Sequence, residues 1–552
     1  MRRRPSTRSN TASDGGTCHW AGAATCAPAP ARSPLRGTGC VPPAMRCSEH
    51  PARIPVLTVG CVRARRTGGC AQETRRVMTV RPTDEPSATD KRATAEPGSV
   101  LTRLILLTLL MAELLIQVDQ TIVNVALPFI KRDLGFSEPG LPWVVNAYAL
   151  LYGGLLLIGG RIGDVFGRRR VLIIGITVFT VASAVCGFAT DPATMVVGRA
   201  VQGVGGALTA PVVLSLIITS FPEGPKRQKA LALWGSAAAA GALFGLLLGG
   251  LLTSGPGWPF SFFLSIPIGL AIVVLSLTTL TDSRAEERPS LDVVGAVTIT
   301  AALLLTVFVF LDTDNPWSAP QRGGLLVVVA GLLVLFFAVE RRQEHPVVPL
   351  HLLRRRNTGG ALGIMMMWGA TQMSYFYFVT LYLQGQLGFS ALRTGIAYLP
   401  LIAILMVSAQ VCTKTVDRVG LRRMLVLGLS FLGVGMAWLG VAAPSVSYLG
   451  AVLGPTILSG IGLGLTMMPA GSLATAGIAP TDAGAVSGLF NTAMLVGGSL
   501  GLAVLTTVTQ ATGGLGDTYS FRVGFLSCTA IMAAALAVAL LVIRVPSEPE
   551  AA

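Results

Sequence analysis

The chain has 552 residues, of which 52% are hydrophobic and only 12% charged, with a mean hydropathy of +0.66. A soluble globular chain is about 25% charged, so lipid rather than water is the main solvent here, and apolar runs of about 20 residues, the length that crosses a bilayer, recur along the chain. The net charge of +15 does not point to nucleic acid: residues 1–77 hold thirteen Arg, no Lys and three acids, a net +10 that leaves +5 for the other 475 residues, where no basic face with interleaved aromatics recurs.

The amino-terminal segment reads differently from the rest. It holds six of the nine cysteines, Cys18, Cys26, Cys40, Cys47, Cys61 and Cys70. None forms a CxxC pair, and the gaps are much wider than the two to four residues typical of a structural zinc site. The segment has little periodic apolar patterning for disulfides to staple. Its richness in Arg, Pro, Ala, Gly and Thr reads as disorder, and no compact apolar run follows the basic start, as a signal peptide requires. Residues 1–100 are therefore expected to be a disordered basic tail. Much of residues 1–77 is expected to precede the true translation start, with Met78 opening an ordinary polar tail; a genuine disordered tail is the other open reading.

From Leu101 onward, fourteen apolar spans alternate with short polar connections, at about 104–128, 142–160, 171–189, 194–220, 230–253, 260–280, 293–311, 323–340, 360–384, 394–412, 424–442, 447–470, 484–509 and 522–544. The seventh and eighth also read as a peripheral pair. Placing residues 78–103 in the cytoplasm puts 19 Lys and Arg in the inside connections and 5 in the outside ones. That asymmetry is the one topogenesis favours, and it predicts an even number of spans in a cytoplasmic membrane with both termini inside.

No GxxxxGK[ST] occurs, and no stretch after residue 100 is long enough for a nucleotide-binding domain. Energy for transport must then come from an ion gradient, a partner ATPase or the solute's own gradient. Ion coupling needs ionisable groups within the membrane, where they are expensive and functional by default. The first span carries Glu113 and Asp119, the fourth Arg199. At about 1.5 Å rise per residue, Glu113 falls near mid-membrane, while Asp119 and Arg199 share the outer third and are placed to pair. A carboxylate alone in an apolar interior favours its protonated form; one beside a guanidinium favours its charged form. Glu113 is thus the better proton carrier and Asp119 the better structural or switching partner. A static polar network for Asp119 and Arg199, and an interfacial position for Glu113, are the alternatives.

The second connection reads Gly160-Arg-Ile-Gly-Asp164-Val-Phe-Gly167-Arg168-Arg169-Arg170. Asp164 sits in a tight turn between helices, Gly163 and Gly167 permit close backbone approach, and Arg168 to Arg170 face an anionic leaflet. A charged clasp at such a turn suits a gate; a plain anchor loop is the bland alternative. In the ninth span, Met365 to Met367, Trp368, Gln372, Met373 and Tyr375 to Phe378 form a Met- and aromatic-rich stretch that suits varied ligands. Together with Tyr148, Tyr152 and Trp234 it could line a weakly selective cavity, although most such side chains pack against lipid or helices. Gln117, Gln120 and Asn124 are the stronger cavity candidates, because polar side chains there avoid lipid.

The second connection resembles motif A of the major facilitator superfamily, G-x-L-A-D-x-x-G-[RK]-[RK]. Asp119-Gln-Thr-Ile-Val-Asn-Val-Ala-Leu-Pro128 is similar to the first-helix signature of the fourteen-helix drug:proton antiporters, and Arg199-Ala-Val-Gln-Gly-Val-Gly-Gly-Ala207 to motif B, whose Arg the resemblance implicates in proton coupling. Asp417-Arg418-Val-Gly-Leu-Arg-Arg423 looks like a degenerate second motif A where the second half-repeat should place it. The fifth-helix signature G-x-x-x-G-P-x-x-G-G is matched at Gly241, Gly245, Gly249 and Gly250, with Leu246 in place of the proline; Gly497, Gly498 and Gly501 keep the glycines of the family's thirteenth helix, without the Arg-Gln pair that often precedes them. The resemblance covers about residues 100–545.

It implies an all-α membrane protein of the major facilitator fold: a six-helix bundle over 101–285, two inserted helices over 286–345, a second bundle over 346–545 and a tail over 546–552. It further implies a monomeric, proton-coupled exporter of amphipathic drugs or antibiotic-like molecules, with a small-molecule substrate, protons and the lipid bilayer as partners and no nucleic acid, cofactor or metal. An exporter of one defined metabolite, such as a siderophore or peptide-like product, is the second reading, and a transport-dead sensor or assembly subunit the third. An enzyme is not expected. Past residue 100 the histidines are His345 and His351 alone, both in one connection, with no HExxH frame.

Overall fold

The computed structural model describes residues 100–283, 292–311, 319–343, 348, 350–445, 447–478, 480–514 and 517–544. The basic tail with its six cysteines, the start at Met78, His345 and the tail after residue 544 lie outside the described residues. Among the described residues the chain is helical, without strands. The long helices are α1 (Val100–Leu134), α2 (Trp143–Phe166), α3 (Arg168–Gly187), α4 (Pro192–Ser220), α5 (Pro225–Ser254), α6 (Pro259–Thr279) and α7 (Val293–Leu311). They continue as α8 (Ala319–Glu340), α9 (Arg356–Gly385), α10 (Ala391–Val419), α11 (Leu421–Ala442), α12 (Tyr448–Thr475), α13 (Pro480–Ala511) and α14 (Thr518–Leu541).

Thirteen of these are long and apolar enough to cross a membrane. The fourteenth, α9, has the length but not the hydropathy, because it carries Trp368, Gln372, Ser374, Tyr375 and Tyr377. Most of its residues are buried. A helix screened from lipid by its neighbours does not need an apolar surface, so α9 is a central helix of a multi-pass membrane protein. The seventh and eighth spans are both full-length helices, and α1 runs through Pro128 to Leu134. Side-chain caps mark several boundaries. Asp191 accepts from the Thr194 amide at 2.9 Å and from its hydroxyl at 2.6 Å at the start of α4, and these bonds hold the Asp191 carboxyl below the usual carboxylate range.

Packing repeats between the two halves. In the first, α1 lies against α5 and α6, and α4 against α2 and α3; in the second, α9 lies against α13 and α14, and α12 against α10 and α11. The two six-helix bundles meet along α2 with α13 and along α5 with the start of α10. The inserted α7 packs against α8, α2 and α13, so it covers one seam between the bundles. Thr507 on α13 donates to the Phe310 carbonyl on α7 at 2.8 Å.

Small residues set these distances, as expected where apolar burial gives no drive between helices in lipid. A β-carbon on Gly159 of α2 would collide with the Ala207 carbonyl of α4, and one on Gly205 of α4 would lie 2.7 Å from the Phe179 amide nitrogen of α3. Because the obstacle at Gly159 is backbone, Gly159→Val is expected to cost at least the roughly 1–3 kcal/mol of an overpacked core. The check is thermal unfolding of the detergent-purified protein, where the midpoint should fall and the monodisperse yield with it; an unchanged midpoint would show that α2 and α4 are not so closely apposed.

Candidate functional site

The first bundle buries an ion pair. Arg199 Nη1 on α4 donates to Asp119 Oδ2 on α1 at 2.6 Å, and both side chains are at most 1% exposed. Arg199 Nε donates to the Val144 carbonyl of α2 at 2.9 Å, and the guanidinium lies 4.5 Å from the centre of the Tyr148 ring, within cation–π range. Gln202, one turn after Arg199 on the same face, completes the network. Its Oε1 accepts from Arg199 Nη1 at 2.8 Å, and its Nε2 donates to Asp119 Oδ1 at 3.0 Å and to Ser183 Oγ of α3 at 2.7 Å. Four helices are thus tied to one carboxylate–guanidinium centre. Close approach of α4 to α2 requires Gly203, where a β-carbon would lie 2.5 Å from the Tyr148 carbonyl.

Glu113 lies six residues before Asp119 on α1 and is 3% exposed. Its partners are neutral: Gln117 Nε2 donates to Oε1 at 2.8 Å, and Trp234 Nε1 of α5 donates to Oε2 at 3.0 Å. Among the described residues no Lys, Arg or His lies within ion-pair distance of it. Trp234 reaches Glu113 because α5 rests on α1 through its glycines. A β-carbon at Gly241 would meet Gln117 and Leu114, at Gly245 Thr121 and Val118, and at Gly249 Ile122, whereas at Gly250 it would meet Ala391 and Leu392 across the seam. Leu246, where the signature has proline, is buried. Its carbonyl faces Gly395 of α10, so this turn of α5 is a contact between bundles.

The residues expected to line a cavity separate into three groups. Gln117 and Trp234 hold Glu113, Tyr148 lies under Arg199, and Tyr152 stacks on Tyr148 at 5.5 Å between ring centres. Asn124 donates to the Gln120 carbonyl along α1 at 3.2 Å, and the Gln120 side chain is half-buried, as are those of Gln117, Trp234 and Gln372. Tyr375 belongs to the wall of the second bundle: it is 1% exposed, with its hydroxyl 2.9 Å from Thr456 Oγ1 of α12.

At the turn between α2 and α3, Arg168 Nε and Nη2 bond Asp164 Oδ1 at 3.0 and 2.8 Å around Gly167, whose φ of 105° lies in the glycine-favouring region. A β-carbon at Gly160 would meet Pro211 of α4 at ordinary contact distance. Arg169 donates to the Ser276 and Leu277 carbonyls at the end of α6, where a helix presents unpaired carbonyls and a negative dipole end. The second copy repeats this geometry: Gly420 has φ 91°, and Arg422 donates to the Ala539 and Leu540 carbonyls at the end of α14. It does not repeat the clasp, because Leu421 stands where the first copy has Arg168, and Asp417 and Arg418 are exposed. The Arg169–α6 and Arg422–α14 equivalence was not read from the sequence, although the matching Arg offset after each glycine carries it.

The halves of the seam differ. At the end of the molecule bearing the 135–142 connection, Gln384 Nε2 of α9 donates to the Val125 carbonyl of α1 at 2.9 Å, and the Leu392 amide of α10 donates to Ser254 Oγ of α5 at 3.0 Å. Near mid-length, Thr492 of α13 donates to the Gly153 carbonyl of α2 at 3.0 Å. Toward the end bearing the 166–168 turn, α5 residues 226, 228, 229, 232, 233, 235 and 236 are exposed. A serine in hydrolase-like spacing, Gly497-Gly498-Ser499-Leu500-Gly501, lies inside α13 and is fully buried, not on the strand-to-helix turn such a nucleophile needs.

Residues 109–502 match the Major Facilitator Superfamily. The chain is 36% identical over 369 residues to the uncharacterized transporter EfpA of Mycobacterium tuberculosis, covering 66% of this chain and 69% of that one. It is 36% identical over 416 residues to the cephamycin export protein CmcT of Amycolatopsis lactamdurans, covering 74% and 83%. It is 38% identical over 378 residues to the puromycin resistance protein of Streptomyces alboniger, covering 68% and 75%. The crystal structure of the POT family transporter PepTSo shares the fold, with a TM-score of 0.59 at 15% identity over 80% of this chain and 98% of that one. With two equivalent six-helix bundles, paired motif turns, a profile match over most of its length and these relatives, the chain belongs to the Major Facilitator Superfamily and is a membrane transporter, not an enzyme.

Proposed function

We propose that this transporter exports amphipathic antibiotic-type molecules across the cytoplasmic membrane as a monomer, in exchange for protons. The observation that carries the reading is the division of labour between two buried carboxyls on one helix. Asp119 is committed to Arg199 and Gln202, whereas Glu113 is held by neutral donors alone and is free to gain and lose a proton without breaking an ion pair. The cephamycin and puromycin relatives supply the substrate class. The excess of Lys and Arg in alternate connections supports a cytoplasmic location for both termini and the 166–168 turn. In that orientation the seam is latched on the outer side by Gln384 and Ser254, which suits the loading state of an exporter. The bundles over 101–285 and 346–545 then rock about the site, with α7 of the 286–345 insert bridging α2 and α13.

Expression in a pump-deficient host tests this with a panel of antibiotics and fluorescent dyes, with and without a protonophore. Raised tolerance and dye efflux that collapse with the protonophore are expected. Efflux indifferent to the protonophore would exclude proton coupling. A flat response across diverse compounds would favour the single-metabolite reading, which the interbundle role of Leu246 keeps open.

A further inference from the structure

The two sides of the seam are built differently at the end bearing the 135–142 connection. Where α1 and α5 meet α9 and α10, polar groups are paired, Gln384 with the Val125 carbonyl and the Leu392 amide with Ser254. Backbones also approach closely there, since a β-carbon on Gly395 of α10 would lie 2.6 Å from the Leu246 carbonyl of α5. The α2–α13 side differs. These helices run antiparallel: a β-carbon on Gly488 of α13 would meet Leu157 of α2, Thr492 bonds the Gly153 carbonyl, and Ala503 packs with Leu150. Asn146 lies seven residues before Gly153 and Ser499 seven after Thr492. Seven residues are about two turns, so the two side chains lie level, on the facing sides of α2 and α13. Both are 0% exposed, yet Asn146 Oδ1 and Nδ2 and Ser499 Oγ have no hydrogen-bonding partner in the protein. One turn from each, Leu150 and Ala503 belong to an apolar cluster with Val307 and Leu311 of α7.

A buried polar group without a partner costs free energy that a solvated one does not. A transporter built of two bundles works by rocking one against the other, so each end of its seam must close and part in turn. Closing this side strands three polar atoms; parting it gives them water. We propose that Asn146 and Ser499 make the α2–α13 side the one on which this end of the seam parts first, with the hydrogen-bonded α5–α10 side following. The amide and the hydroxyl are positioning residues for the conformational step: they raise the free energy of the closed seam and so favour its opening. Removing their polar atoms should hold it shut. The inference rests on the chain being a two-bundle transporter, and not on Glu113, proton exchange or the direction of transport.

Hydroxyl-radical footprinting of the full chain in lipid nanodiscs tests it, because oxidation reports water beside a side chain. Leu150 marks the α2–α13 side and Leu246 the α5–α10 side; they are 0% and 1% exposed, so a protein that stayed closed would protect both alike. The wild type should oxidise severalfold more at Leu150 than at Leu246. Ser499→Ala and Asn146→Ala both remove polar atoms without adding bulk. Each should lower oxidation at Leu150 by about fivefold, the effect of one stranded group on an equilibrium, and leave Leu246 unchanged. A loss of stability alone would instead raise oxidation at both. Equal protection of the two leucines in the wild type, or Leu150 oxidation that either variant leaves unchanged or raises, would overturn the proposal.

Discussion

Replacing Arg199 by Ala is expected to destabilise the transporter by about 3–5 kcal/mol, the usual cost of removing one partner of a buried pair. The reason lies in what remains. Asp119 would keep only Gln202 as a donor, the Val144 carbonyl would lose its bond from Nε, and the space over Tyr148 would be empty. Arg199→Lys should recover only part of the loss, because an ammonium cannot reproduce the planar fork that reaches Asp119, Gln202 and Val144 together. The double variant Asp119→Leu/Arg199→Leu should be less destabilised than Arg199→Ala, since removing both charges leaves none unpaired. Thermal unfolding of the wild type and the three variants in one detergent checks the order. If Arg199→Ala and the double variant are equally stable, the pair contributes nothing beyond packing.

Glu113→Gln is expected to abolish uphill transport while leaving the fold intact. The amide has the size of the acid, and its oxygen can still accept from Trp234, so α1 and α5 stay joined. What it cannot do is exchange a proton. One charge moved through about 100 mV carries about 2.3 kcal/mol, enough to sustain a roughly 50-fold concentration ratio of an uncharged solute at one proton per molecule. In vesicles energised by an imposed gradient, the wild type should approach a ratio of tens and Glu113→Gln should stop near unity. Downhill substrate movement should continue in the variant, because the contacts between the two bundles are unchanged. Equal accumulation in both proteins would remove Glu113 from the coupling step.

Much of the fold is written locally. Each run of about 20 apolar residues between basic connections became a helix, including the pair over 293–311 and 323–340, because a backbone in lipid has no other way to satisfy its polar groups. Helix ends moved where polar or proline residues continued a helix beyond the apolar run: α1 extends past Pro128 to Leu134. The depth argument put Asp119 and Arg199 at one level, and they are in contact. Partners set by tertiary packing were harder to read. Trp234 reads as one more aromatic on an apolar helix until Gly241 and Gly245 seat α5 against α1 and bring its indole to Glu113. Asp292 and Glu340 sit at helix ends, where acids are ordinarily solvated, yet both are buried in the fold. Tyr375 belongs to a Met- and aromatic-rich stretch suited to a ligand, yet its hydroxyl is used by Thr456 inside the second bundle.

Substrate-driven proton movement in proteoliposomes tests proton exchange at Glu113 most directly. Vesicles holding the purified chain and a pH-sensitive dye are loaded with an antibiotic that the chain protects against and diluted into antibiotic-free buffer, with no other gradient present. Exchange predicts that antibiotic leaving the vesicles draws protons in, acidifying the interior with the wild type and not with Glu113→Gln. Antibiotic release without acidification in the wild type, or the same acidification in Glu113→Gln, would contradict it.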